Sequence, residues 1–233
     1  MTDLVLVHGT TQSPAGFGPL AAALAEHGHR ALTPALATRS DATIAEHVEH
    51  LIAQLPDDLD RPAVLAHSGS GQLLPTLAKT LDAVQQIWLA AAVPDYRGRR
   101  SMIAELQDSD VAVFNPEWIG IDPTADPAMA TYFLFHDADL AALRQGLETL
   151  ARTDLTAVFH ETPPEDPARL SSSYLLPSGD RTLRRDWMAS AARERLSIEP
   201  VELDGGHNLY TASPRLVAGA VITELERHDR TRP

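Results

Sequence analysis

Cysteine is absent from the 233-residue chain. That excludes disulfides, thiolate metal ligands and a cysteine nucleophile. Lysine occurs once, at Lys79, so Schiff-base chemistry has a single candidate. Positive charge is also scarce: 19 Lys and Arg stand against 32 Asp and Glu, a net charge of −13. So acidic a surface repels phosphate backbones and anionic lipid, which argues against nucleic-acid and membrane partners. No apolar run approaches the length of a membrane span. Met1-Thr2-Asp3 leads straight into an apolar run, with no basic start and no small-residue cleavage site, so the expected location is the cytoplasm. No glycine loop followed by Lys is present to cradle a phosphate. What remains is the balance of an ordinary globular protein, 44% hydrophobic and 22% charged. At roughly 150 residues per domain, the length suits one large domain or one domain with an insertion.

The apolar pattern alternates between two periods. Residues 4–7 form a short continuous Leu/Val run, as expected of a strand buried on both faces. Residues 19–27 read as a helix stopped by Gly28. A weak strand at 30–33 follows, ended by Pro34. In 43–55, Ile44, Val48, Leu51, Ile52 and Leu55 share one helical face. Strands are predicted at 63–66 and 87–93, with a helix over 73–81 between them. This alternation predicts a parallel α/β sheet with right-handed crossovers. From 95 to 170 the strand rhythm stops. Prolines and most of the aromatics gather there, and helices are predicted at 100–107 and 139–151, so the stretch reads as a mostly helical insertion. The rhythm returns with strands at 172–176 and 198–203 and helices at 183–195 and 214–227. The expected sheet has six strands in the spatial order 2-1-3-4-5-6, with helices on both faces.

Four turns that follow strands hold the chemistry. In Ala66-His67-Ser68-Gly69-Ser70-Gly71, a serine on a strand-to-helix turn is forced into a strained backbone that projects its Oγ clear of the sheet. The turn closes only when the residues two before and two after the serine are small. Ala66 and Ser70 satisfy this for Ser68, whereas Gln72 is too bulky for Ser70 to take the role. His8-Gly9-Thr10 ends the first strand, and the N–H groups of Thr10 and Gly69 are the natural pair of donors for a developing oxyanion. Asp204-Gly205-Gly206-His207 places a histidine after the last strand, within reach of Ser68. Pro177-Ser178-Gly179-Asp180 offers an acid to orient that imidazole, with Asp95 and Asp204 as rivals. Taken in chain order, nucleophile, acid and base follow the α/β-hydrolase arrangement, not the chymotrypsin or subtilisin one. His136-Asp137-Ala138-Asp139 hints at a metal site, but an acid capping the following helix is the simpler account.

The opening LVLVHGTTQS, the elbow AHSGSG, the stretch YLLPSGDRTLRRDWM and the ending ELDGGHNLYTASPRLVAGAV together resemble the α/β-hydrolase superfamily over nearly the whole chain. The likeness is strongest to the small esterase branch that includes plant methyl esterases and hydroxynitrile lyases. The resemblance implies an α/β-hydrolase core over 1–94 and 171–233, with 95–170 as a helical cap. It implies Ser68 as nucleophile, His207 as base, Asp180 as orienting acid, and Thr10 and Gly69 as oxyanion donors. Asp180 is preferred to Asp95 because the branch keeps a strand Tyr six residues before its acid, where Tyr174 stands. The chain departs from the branch at Ala66 and Ser70, where glycines are usual, and at Ala35, which stands where an acid usually ends the second strand. It also has Gly9 and Asn208 where the branch's lyases keep Thr and Lys. Without that Lys the cation that stabilises cyanide is missing, which argues against hydroxynitrile lyase activity.

The expected activity is hydrolysis of a small ester through an acyl-enzyme, with no cofactor and no metal, on a small-molecule substrate. Two alternatives share the scaffold: an eliminating lyase with His207 as base on a carbon acid, and a binding protein that keeps the pocket without the chemistry. The aromatics at 95–170 suggest either an apolar pocket or the cap's own core.

Overall fold

A computed structural model describes residues 2–108 and 111–231. The six strands are all parallel: β1 (Leu4–Val7), β2 (Ala31–Leu32), β3 (Ala63–His67), β4 (Gln85–Leu89), β5 (Ser172–Pro177) and β6 (Val201–Leu203). Their spatial order is β2-β1-β3-β4-β5-β6, as the alternating pattern predicts. β1 is hydrophobic throughout, and β3, β4 and β5 are buried along almost their whole length, because both faces are covered. On one face, α2 (Ile44–Ile52), α3 (Leu74–Thr80) and α8 (Arg185–Leu196) bury Val48, Leu77 and Met188 against Val64, Trp88 and Tyr174. On the other, α1 (Gly18–Ala25), α9 (Leu209–Ala212) and α10 (Pro214–Thr231) bury Leu20, Tyr210 and Val221 against Leu6, Leu65 and Leu89. Among the described residues, no helix is long and apolar enough to cross a membrane.

Between β4 and β5 the chain forms α4 (Met102–Leu106), α5 (Pro127–Leu134), α6 (Leu140–Glu148) and α7 (Thr156–His160). Ala130, Phe133, Leu134 and Phe135 make a small core of their own, with Trp118 and Ile121 against it. Backbone bonds tie this region to loops at the C-terminal ends of the strands: Thr153 N–H donates to Thr10 O at 2.8 Å, Asn115 N–H to Thr182 O at 2.8 Å, and Asn208 N–H to Leu134 O at 3.3 Å. That edge of an open α/β sheet is where ligands bind.

Several segments depart from the sequence reading. The last strand, expected at 198–203, is confined to β6, and α5 and α7 lie where the sequence predicts no helix. The fourth strand, expected at 87–93, runs from Gln85 to Leu89. Gln85 and Gln86 can enter a buried strand because their side-chain amides donate to Ser173 Oγ at 2.8 Å and Pro167 O at 2.9 Å. The ladder ends where Ala90 turns to a φ of +44°. Ala90 to Val93 stay buried but wrap the turn after β3 instead of extending the sheet. The helix expected at 73–81 is a 3-10 turn over Ser68–Leu73 followed by α3.

Candidate active site

Ser68 follows β3 with a φ of +57°, a conformation that costs a non-glycine residue about 1–3 kcal/mol and is held only by its surroundings. Here those surroundings are the buried segment that follows β4. Ser68 N–H donates to Ala90 O at 3.1 Å, and Ser68 O accepts from Ala92 N–H at 3.0 Å. Ser70, two residues on, is fully buried yet tolerated, since its hydroxyl lies 2.8 Å from His67 O and 3.1 Å from Val7 O. Ser70 therefore faces inward, while Ser68 Oγ meets the loop after β6.

That loop carries His207, which is 2% exposed. Its Nε2 lies 3.1 Å from Ser68 Oγ and its Nδ1 lies 2.7 Å from Asp180 Oδ2. Asp180 stands after β5, and its other oxygen, Oδ1, accepts from Thr182 N–H at 2.7 Å, Thr182 Oγ1 at 2.8 Å and Leu183 N–H at 3.0 Å. The structure thus brings Ser68, His207 and Asp180 together. It leaves the rival acids elsewhere. Asp95 accepts from Gly98 N–H at 2.8 Å in its own turn, and Asp204 is exposed beside Ser178. Thr10 and Gly69 adjoin: a Cβ built on Gly69 would stand 3.2 Å from Thr10 Cγ2.

Sequence reasoning missed three supports. Thr182 Oγ1 lies 2.6 Å from His207 Nδ1, and the signal was a hydroxyl two residues past a candidate acid. His67 is fully buried, with its Nε2 3.0 Å from His207 O and its ring centroid 4.6 Å from that of His207. Burial, then the neighbouring His207, hold the His67 imidazole well below its ordinary value of 6.5. His8 is likewise lowered by burial, so Nδ1 donates to Gly9 O at 2.9 Å while Nε2 accepts from Leu36 N–H at 3.3 Å. The third support is the acid-rich segment 136–139. Asp139 caps α6 as expected, accepting from Ala142 N–H at 2.8 Å. Asp137 instead accepts Gly206 N–H at 2.7 Å, and His136 Nε2 donates to Gly179 O at 2.9 Å, so the pair fastens the loops of His207 and Asp180. No cluster able to hold a metal ion occurs among the described residues.

A cavity of about 410 Å³ opens beside Thr10, with Thr11, Trp118, Asp122, Arg152 and Phe159 among the residues that line it. Phe159 reaches Gly69, where an added Cβ would stand 2.9 Å from its ring. Trp118 and Phe159 thus face the cavity, whereas Phe133 and Phe135 fill the small core between β4 and β5.

Residues 4–220 match the family described as Alpha/beta hydrolase family. The chain belongs to that family. Solved structures agree in fold. An extracellular α/β-hydrolase from a Paenibacillus species superposes with a TM-score of 0.77 at 15% identity, over 96% of this chain and 99% of that one. A methylesterase from Arabidopsis gives a TM-score of 0.74 at 14% identity, over 97% and 100% of the two chains. A pyrethroid hydrolase from Sphingobium faniae JZ-2 gives 0.80 at 16% identity, over 97% of each. At these identities the likeness is one of fold. Comparison with curated protein sequences found no match.

Proposed function

We propose that this α/β-hydrolase cleaves small esters through an acyl-enzyme formed on Ser68. The observation that carries the reading is the continuous chain Ser68 Oγ, His207 Nε2, His207 Nδ1, Asp180 Oδ2, with links of 3.1 and 2.7 Å. Ser68 Oγ attacks the ester carbonyl while His207 Nε2 takes its proton. The N–H groups of Thr10 and Gly69 receive the charge that builds on the carbonyl oxygen. His207 then gives the proton to the departing alcohol, and a water activated by the same nitrogen hydrolyses the acyl-enzyme. Asp180 keeps the proton of the resting imidazole on Nδ1, so Nε2 is free to accept. In this reading residues 95–170 cap the site, and the cavity between Thr10 and Phe159 takes part of the substrate. The esterase and hydrolase names of the structural relatives favour the same chemistry.

The test is a fluorophosphonate label read by mass spectrometry, together with turnover of p-nitrophenyl acetate. Label is expected on Ser68 alone. Ser68→Ala should abolish turnover with the fold intact, and Asp180→Asn should lower it by about 10⁴, the cost of losing such an acid in a protease triad. An unlabelled, inactive wild-type protein would favour a binding role, and an alkene with a free acid among the products would favour elimination.

A further inference from the structure

The triad in this chain has a fourth member on its acid side. Thr182 lies 2.6 Å from His207 Nδ1 and 2.8 Å from Asp180 Oδ1 through one hydroxyl oxygen, and the residue is 1% exposed. A hydroxyl has one proton and two lone pairs. Asp180 is an acceptor on both oxygens, so the Thr182 proton goes to Oδ1, and the lone pairs are left toward the Nδ1–H edge of the imidazole. That edge therefore meets two acceptors, the Asp180 Oδ2 at 2.7 Å and the Thr182 oxygen at 2.6 Å.

The backbone makes this arrangement rigid. Thr182 N–H and Leu183 N–H both end on Asp180 Oδ1, at 2.7 and 3.0 Å. The Thr182 carbonyl accepts from Asn115 N–H at 2.8 Å, and Asn115 Nδ2 donates to Asp180 O at 3.2 Å. These bonds hold the carboxylate and the hydroxyl against the ring.

On the acyl-enzyme reading above, we propose that Thr182 is a positioning residue that stabilises the imidazolium of His207 as Ser68 loses its proton. When Nε2 takes that proton, positive charge spreads over the ring and both acceptors at Nδ1 gain strength. The resting imidazole draws less from them, so the contribution falls on the transition state and acts on kcat. The hydroxyl also fixes Oδ1, which leaves Oδ2 no second orientation. A role confined to holding the loop would act on stability and would leave kcat unchanged.

The experiment compares Thr182→Val, which keeps shape and removes the hydroxyl, with Thr182→Ser, which keeps the hydroxyl. The probes are p-nitrophenyl acetate for kcat and KM, a fluorophosphonate for the rate of Ser68 modification, and Tm for the fold. Thr182→Val is expected to lower kcat about tenfold, the scale of a hydrogen bond to a charged group. KM should not change, the fluorophosphonate rate should fall in step with kcat, and Thr182→Ser should restore both rates. If Val disturbs the fold, Thr182→Ala carries the same expectation without the branched side chain. Wild-type kcat and labelling rate in a folded hydroxyl-free variant, or a loss confined to KM or Tm, would overturn the proposal. A Ser68→Ala protein that keeps full turnover would instead overturn the hydrolase reading itself, so the two failures are distinguishable.

Discussion

Gly71 makes the close approach that the turn after β3 demands. A Cβ built there would overlap the carbonyl oxygen of Ala92, which belongs to backbone already held by Ser68 O. Because backbone cannot swing aside as a side-chain end does, Gly71→Ala should cost about 1–3 kcal/mol, the usual range for overpacking. Turnover should fall as well, because the strain is relieved by moving Ser68. At Ser70 the balance differs. The position where this turn usually has glycine admits a hydroxyl because Val7 O and His67 O are both within reach of it. Ser70→Ala removes one buried hydrogen bond, worth about 1 kcal/mol, and leaves Ser68 Oγ where it is. Urea unfolding alongside p-nitrophenyl acetate turnover separates the two variants. A Gly71→Ala protein as stable and active as wild type would refute the account of the turn.

At the scale of elements, the sheet was legible first at β1 and β3, whose apolar runs are ended by turn residues. Helix α2 was legible because Ile44, Val48 and Leu51 recur at helical spacing, and the structure adds a capping box of Thr43 with Glu46 at its start. The fourth strand was misplaced for a physical reason: apolar content alone does not separate a strand from buried loop, so the run at 90–93 outweighed the two glutamines that the ladder uses. Helices α5 and α7 have one and a half to two turns, too short for a period to declare itself. The turns that carry Asp180 and His207 were legible, and the structure brings the two side chains within 2.7 Å. Thr182, His67 and Asp137 were not, because each acts across a distance in sequence that only the folded loops close. The same holds for the ion pair that locks α4 to α8. Glu105, 1% exposed, takes two bonds from Arg195 at 2.8 and 3.0 Å, and Arg195 also donates to Val93 O at 2.6 Å. Taking Arg195 away strands a buried carboxylate, so Arg195→Met should destabilise by about 3 kcal/mol, whereas adding Glu105→Leu should recover most of that loss. A double variant no more stable than the single one would show that the pair holds the helices by shape and not by charge.

Across the whole molecule, the net charge of −13 and the buried histidines pull stability in opposite directions as the medium is acidified. Protonating surface carboxylates relieves their mutual repulsion, but ordinary carboxylates titrate near pH 4, so little of this relief arrives above pH 5. The histidines act earlier. His8, His47 and His67 are all held below the ordinary imidazole value of 6.5, by burial in the first place. The unfolded chain therefore binds protons below 6.5 that the folded chain refuses, and stability rises with pH wherever the unfolded state holds more protons. It follows that the contribution is whole above pH 6.5 and drains away as the pH falls below it, down to the lowered folded values. Each such group withdraws at most about 1.4 kcal/mol per pH unit. Tm should thus be flat from pH 8 to 7 and fall between pH 6.5 and 5. His67→Gln keeps an amide N–H for the His207 carbonyl but cannot titrate, so it should flatten the decline by roughly a third, since one of three such groups is gone. The check is Tm against pH for both proteins in buffers of equal ionic strength. A variant as steep as wild type would mean that His67 is not one of the groups that must charge for the fold to open.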